Sequence, residues 1–187
     1  MLKIFTRLKD DKREKYDTRF LNEKRAREVH DYHNGFPMYE ETPFVELKNL
    51  AEKTGVKNIL VKDESYRFGL NAFKVLGGSF AIGKVIAEKL NMDIKDLIFE
   101  KLTSQEVKDK LGDVTFITAT DGNHGRGVAW AANKLNQKSI VYMPKGSAEE
   151  RVKNIEKEGA TVKVLDLNYD ECVRQANQTG IRKSSIV

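Results

Sequence analysis

The sequence predicts an α/β fold built on a parallel sheet, and three observations carry that expectation. Apolar, β-branched runs recur at residues 114–118, 138–143 and 161–165, each followed by a turn and then by apolar residues at helical spacing. The separations suit helical crossovers, and strands joined in that way lie parallel. The chain has 187 residues, 40% hydrophobic and 33% charged with only 3 Pro. That is long enough to bury a core and, at about 150 residues per domain, amounts to roughly one domain and a fraction of another.

Taken in order, the N-terminal stretch is charged rather than apolar. Residues 3–27 hold 10 Lys/Arg and 5 Asp/Glu, and the rest of the chain balances at 23 against 23, so this stretch carries the whole net charge of +5. Mixed signs, as in Lys9-Asp10-Asp11-Lys12-Arg13-Glu14-Lys15, read as a solvated surface, with a phosphate-tracking arm as the minor alternative. No apolar run suits a secretory signal or spans about 20 residues, which excludes a membrane helix and makes the cytoplasm the expected compartment. The single Cys172 excludes an internal disulfide framework and agrees with that compartment.

Residues 58–62 form a strand candidate. Ile82, Val85, Ile86 and Leu90 mark a helix ending near Asn91, and residues 92–112 read as an inserted helical hairpin with Ser104 as an N-cap. After the strand at 114–118, Val128, Ala131, Ala132 and Leu135 share one helical face. Pro144 and Gly146 end the next strand. Ser147 is the expected cap of a helix whose first turn carries Glu149 and Glu150 and whose inner face carries Val152 and Ile155. Gly159 suits its stop, and after the strand at 161–165 a short helix over 169–176 turns Cys172 and Val173 to the sheet. Residues 179–187 lack the βα rhythm.

Two segments hold more than packing requires. In Lys62-Asp63-Glu64-Ser65-Tyr66-Arg67-Phe68-Gly69-Leu70-Asn71-Ala72-Phe73-Lys74-Val75-Leu76-Gly77-Gly78, one lysine sits among apolar and small neighbours at a helix mouth. Desolvation disfavours an ammonium, and a neutral amine can attack a carbonyl, so Lys74 is a candidate covalent anchor; a snorkelling helix-end lysine is the alternative. In Thr118-Ala119-Thr120-Asp121-Gly122-Asn123-His124-Gly125-Arg126-Gly127, a strand gives way to a helix. Free N–H groups there can hold an anion, with Gly122, Gly125 and Gly127 allowing close approach. The spacing GxxGxG is not the dinucleotide fingerprint, and no P-loop is present. His124 reads as an acid, a base or a structural donor, and Asp121 as a turn or cap residue. His30 and His33 lack a third ligand, so no metal site is expected.

Together, KDESYRFGLNAFKVLGGS, TATDGNHGRGVAWAANKL and VYMPKGSAEERVKNIEKEGATV resemble the fold type II, tryptophan-synthase-β-type pyridoxal-phosphate enzymes, and within them the diaminopropionate ammonia-lyases. The resemblance runs from about residue 2 to about residue 178. It implies a three-layer fold with a parallel sheet, and pyridoxal 5'-phosphate carried on Lys74. It also implies Phe73 supporting the cofactor ring and Asn123 bonding its phenolic oxygen. The backbone around Gly122, Asn123, His124 and Gly125 would receive the substrate carboxylate. Lys74 would take the α-proton from one face and Asp121 from the other, so that D- and L-2,3-diaminopropionate would both yield pyruvate and ammonia by α,β-elimination. Asp121 distinguishes this reading from serine or threonine dehydratases, which usually have a small residue there.

The implied partners are a small amino-acid substrate and, for the full-length enzyme, a second copy in a homodimer, with no nucleic acid and no membrane. Such enzymes are more than twice as long, and no glycine-rich phosphate cradle follows residue 160. The expectation is therefore a truncated chain, inactive alone, with residues 1–78 from a larger cofactor domain and residues 79–187 forming a smaller one. A non-catalytic remnant or basic binding module is the remaining alternative.

Overall fold

The computed structural model describes residues 18–120 and 122–183. Helix α1 (Glu23–Asn34) is capped by the Asn22 side chain, which accepts from the Arg25 N–H at 2.9 Å. Strand β1 (Phe44–Glu46), helix α2 (Lys48–Thr54) and strand β2 (Leu60–Lys62) follow, with β1 and β2 paired antiparallel. Helix α3 (Lys74–Leu90) stops at Asn91, whose φ of 53° ends the helix in the left-handed region. Two short helices, α4 (Phe99–Leu102) and α5 (Gln105–Leu111), come next; the Ser104 hydroxyl accepts from the Val107 N–H, as its sequence position predicted.

The second half alternates strictly: β3 (Thr115–Ala119), α6 (Asn123–Lys134), β4 (Lys138–Pro144), α7 (Glu149–Glu156), β5 (Thr161–Leu165) and α8 (Tyr169–Lys183). The three strands form a parallel sheet in the order β3-β4-β5, with Ile117 opposite Ile140 and Ile140 opposite Thr161. Because successive side chains point to opposite faces, β4 serves both layers. Val141 and Met143 pack with Ala129 of α6 and Ile155 of α7, whereas Tyr142 joins Ile117, Cys172 and Ala176 under α8. The predicted three-layer α/β arrangement is therefore present.

A larger core lies between α3 and α6, from Val75, Ile82 and Ile86 to Val128, Ala131, Ala132 and Leu135. These helices pack more closely than ordinary side chains allow. A Cβ at Gly127 would lie 2.8 Å from the Val75 Cα and 2.9 Å from its N, and backbone cannot yield as a side chain can. Helix α1 grips the same helix from outside. The Tyr32 hydroxyl donates to the Ser79 carbonyl at 3.0 Å, and the buried His33 ring meets the Val29 carbonyl at Nδ1 and the Ser79 hydroxyl at Nε2, both at 2.8 Å.

Several local expectations change. Ser147 does not cap α7; Ala148 holds that position, and the Ser147 hydroxyl bonds back to the Pro144 carbonyl. Val173 is 41% exposed, and Ala176, one turn beyond Cys172, faces the sheet instead. Helix α8 continues to Lys183, with Thr179 bonded to the Tyr142 hydroxyl, so residues 179–183 belong to the βα rhythm. The strand candidate at 58–62 is shorter and pairs with β1 rather than with the parallel sheet. Asp121 and the charged run at residues 9–15 lie outside the described residues.

Two stability tests arise from these contacts. Gly127→Ala should destabilise the chain by about 1–3 kcal/mol in urea unfolding, because overpacking against backbone cannot relax. Gly77→Ala, with nothing within 4 Å of the added Cβ, should instead gain about 0.5–1 kcal/mol from helix propensity. The second test concerns pH. Burial holds the His33 imidazole below its ordinary value of 6.5, so below that pH the unfolded chain binds the proton more readily than the folded one. Stability is therefore complete above pH 6.5 and declines as pH falls. The thermal midpoint should drop on acidification, and the drop should be smaller in His33→Gln; His124, lowered in the same direction, accounts for part of the remainder.

Candidate functional site

Lys74 is the first residue of α3, and Phe73 occupies the N-cap position without capping the helix. Both side chains are exposed, Phe73 by 58%. The dry surroundings expected for the amine are thus not supplied by the described residues. What the fold does supply is position. Gly127 of α6 lies against the backbone of Lys74 and Val75, so the lysine emerges beside the start of α6.

That start has the chemistry to hold an anion. Helix α6 is 12 residues long, follows the C-terminal end of β3, and has Gly122 at its N-cap, a residue with no side chain to offer. The Gly122 N–H is already donated to the Thr120 hydroxyl at 3.1 Å, and among the described residues nothing accepts from the first-turn N–H groups of Asn123, His124 and Gly125, which point toward the helix mouth. The three glycines have different uses. A Cβ at Gly122 would meet nothing within 4 Å, whereas one at Gly125 would strike Thr120 and Val141. Gly122 therefore leaves room for a ligand, and Gly125 and Gly127 let α6 seat on the sheet and on α3.

Asn123 and His124 are exposed in the first turn of α6, and His124 is close enough to Lys74 to feel its charge. Partial desolvation of the ring first, and then the positive charge of Lys74, hold the His124 imidazole below its ordinary value. A cleft of about 230 Å³ between α3, β3 and α6 reaches His124 and is lined also by Gly77, Ala81, Phe116, Thr118 and Val128. A larger groove of about 680 Å³ between α1 and residues 94–98 contains none of the predicted site residues. Lys74, Phe73, Gly122, Asn123, His124 and Gly125 thus converge, while Asp121 belongs to the same turn by sequence and lies outside the described residues. Among the described residues no group of three or more His, Cys, Asp or Glu could hold a metal, and no helix is long and apolar enough to cross a membrane.

The loop leading to Lys74 is held by residues that sequence reasoning passed over. Arg67 is buried, and its guanidinium grips Glu64 with both edges, Nε to Oε2 at 2.9 Å and Nη2 to Oε1 at 3.0 Å. It also donates to the Glu40 carbonyl and the Thr42 hydroxyl and lies over the Tyr39 ring. The arginine beside it lowers the Glu64 carboxyl below the usual range. Next in the chain, Phe68 takes a left-handed φ of 51°, unfavourable for an aromatic residue, and is held there by packing on Trp130 of α6, ring centroids 4.7 Å apart. The only sequence signal for this support was the i, i+3 spacing of Glu64 and Arg67.

Residues 36–184 match the family model described as "Pyridoxal-phosphate dependent enzyme". The chain is 48% identical over 180 residues to the diaminopropionate ammonia-lyase of Salmonella typhimurium, covering 94% of this chain and 45% of that one. It is 50% identical over 159 residues to the Escherichia coli K12 enzyme of the same name, covering 84% and 39%. It therefore spans less than half the length of these relatives. The crystal structure of the Escherichia coli enzyme in apo form superposes with a TM-score of 0.85 at 47% identity, over 91% of this chain and 46% of that one; the same enzyme has been solved with an aminoacrylate-PLP azomethine reaction intermediate. Threonine deaminase isoform 2 of Solanum lycopersicum, 22% identical with a TM-score of 0.61 over 86% of this chain and 40% of that one, shares the fold. By the match over most of its length, the chain belongs to the pyridoxal-phosphate-dependent enzyme family, with a fold type II architecture.

Proposed function

We propose that this chain supplies the lysine and substrate-carboxylate side of a pyridoxal-phosphate site, and that the whole protein is an ammonia-lyase converting 2,3-diaminopropionate to pyruvate and ammonia. The observation that carries the reading is the seating of Gly127 on Val75, which sets an exposed lysine beside a helix N-terminus lacking a side-chain cap. The residues fit the cofactor: Lys74 offers an amine to its aldehyde, Phe73 an exposed aromatic face, and Asn123 an exposed amide for its phenolic oxygen. When bound, pyridoxal phosphate supplies a pyridinium ring that accommodates the charge left at Cα once its proton departs.

Every other contribution belongs to the chain. The N–H groups of Asn123, His124 and Gly125 bind and orient the substrate carboxylate at the positive end of α6. The Lys74 amine accepts the α-proton on its own side. The Asp121 carboxylate accepts it on the opposite side, because one lysine cannot serve both faces of a single carbon. This is the reason to expect both D and L isomers as substrates. We assign residues 1–78 to a larger cofactor domain and 79–187 to a smaller one, and place the full-length protein in the cytoplasm as a homodimer.

The test joins this chain to the C-terminal portion of the Salmonella relative and supplies pyridoxal phosphate. Lys74→Ala should abolish the cofactor's bound absorption; an unchanged spectrum refutes the anchor. Asp121→Asn should lower turnover of one isomer by about a hundredfold or more while largely sparing the other, the range for losing a general base. Equal losses would overturn the face-specific role, and 2-oxobutyrate from threonine in preference to pyruvate from diaminopropionate would make the protein a dehydratase.

A further inference from the structure

Arg126 has no part in the site as described, yet it touches the segment that carries Lys74. Its Nη1 donates to the Leu70 carbonyl at 3.0 Å, and its Nε and Nη2 grip one carboxylate oxygen of Glu158 at 2.9 and 2.8 Å. Glu158 lies in the turn between α7 and β5, and it is fixed there independently. The Asn133 side chain, two helical turns along α6 from Arg126, donates to the Glu158 carbonyl at 3.0 Å. Gly159 packs so tightly beneath Asn133 that an added Cβ would come within 2.8 Å of its Nδ2. The carboxylate is thereby held where it can aim the guanidinium at Leu70.

The carbonyl so captured is a consequential one. Phe68, Gly69 and Asn71 all have positive φ, so the tight turn around Leu70, closed by the Leu70 N–H on the Arg67 carbonyl, is strained, while the Leu70 side chain is buried in the core. Only Asn71, Ala72 and Phe73 separate Leu70 from Lys74. Immediately after the lysine, Val75 is pressed against Gly127, the neighbour of Arg126 in α6. One short stretch of α6 therefore grips the chain on both sides of Lys74, by a hydrogen bond before it and a steric contact after it.

We propose that Arg126, oriented by Glu158, is a positioning residue for Lys74: its bond to the Leu70 carbonyl fixes where α3 begins, and hence where the lysine amine stands relative to the start of α6. This inference rests on Lys74 being the cofactor lysine. The planar fork of an arginine reaches the carboxylate and the carbonyl together, which a single ammonium or a carboxylate in its place cannot do.

The test uses this chain joined to the C-terminal portion of the Salmonella relative, and two variants of it that retain opposite charges but lose the bond to Leu70, the double replacement Arg126→Glu with Glu158→Arg and the single Arg126→Lys. Three quantities are measured: the thermal midpoint, amide hydrogen exchange over residues 71–76, and reductive coupling of pyridoxal phosphate with borohydride, mapped lysine by lysine. In the unaltered chain Lys74 should couple ahead of the other lysines. In the double variant the midpoint should stay within a few degrees, while exchange over 71–76 rises and preferential coupling at Lys74 falls, each by about tenfold, as expected for one lost charge-assisted hydrogen bond. Should the double variant fail to fold, Arg126→Lys is read in the same way. Unchanged exchange and coupling in a folded variant overturn the proposal. If exchange rises as stated but Lys74 shows no preference even in the unaltered chain, the cofactor-lysine reading fails, and Arg126 positions the segment but not a cofactor lysine.

Discussion

The arrangement of this chain depends on a missing methyl group. Helices α3 and α6 can bring their first turns together only because position 127 carries no Cβ, where one would lie 2.8 Å from the backbone of Val75. Backbone against backbone is the least forgiving contact in a packed interior, since neither side has a rotamer to change. Once made, it fixes a distance rather than a preference. The lysine that opens α3 and the first-turn N–H groups that open α6 become neighbours, and the apolar faces behind them, from Ile82 and Ile86 to Ala131 and Leu135, close into one core.

The features legible in the sequence were those with a local physical signature. β-Branched runs and helical periodicity located all three parallel strands and the helices between them, because side-chain shape and spacing act within a few residues. The end of α3 at Asn91 and the cap at Ser104 were readable for the same reason. Failures occurred where tertiary contact decides. Strands β1 and β2 are only three residues each and exist through mutual pairing; Val173 is exposed because the rotation of α8 turns Cys172 and Ala176 to the sheet; and the tail of α8 is secured by Thr179 meeting Tyr142, a partner 37 residues away. At the candidate site, the division of roles among the glycines was not legible. The spacing of Gly122, Gly125 and Gly127 cannot reveal that one leaves room for a ligand and two seat a helix.

The loop before Lys74 shows how the fold sustains a conformation that its sequence does not favour. Three of its residues lie at positive φ and only one of them is glycine. An aromatic residue at φ 51° costs on the order of 1 kcal/mol or more and persists only when its surroundings determine it. Here the buried Arg67–Glu64 pair anchors one end and Trp130 holds the Phe68 ring. Such a pair gives little net stability for its burial, yet it is strongly directional, and direction is what a lysine-bearing loop requires.

Placement and desolvation are consequently separate achievements in this protein. The described residues determine where Lys74 stands, through α6, Arg67 and the α1 clamp, but leave it exposed together with Phe73. Phe44, Val45, Leu60 and Val61 are exposed too, on both faces of the β1–β2 ribbon, although every one of them is apolar. Adjacent residues in a strand point in opposite directions, so this is a ribbon without cover on either side rather than a half-buried sheet. A relative position set by backbone packing survives the arrival of such cover unchanged, whereas the reactivity of an amine depends on it directly. The anchor role proposed for Lys74 therefore requires apolar surface beyond that of the described residues, whereas its position beside α6 is set without it.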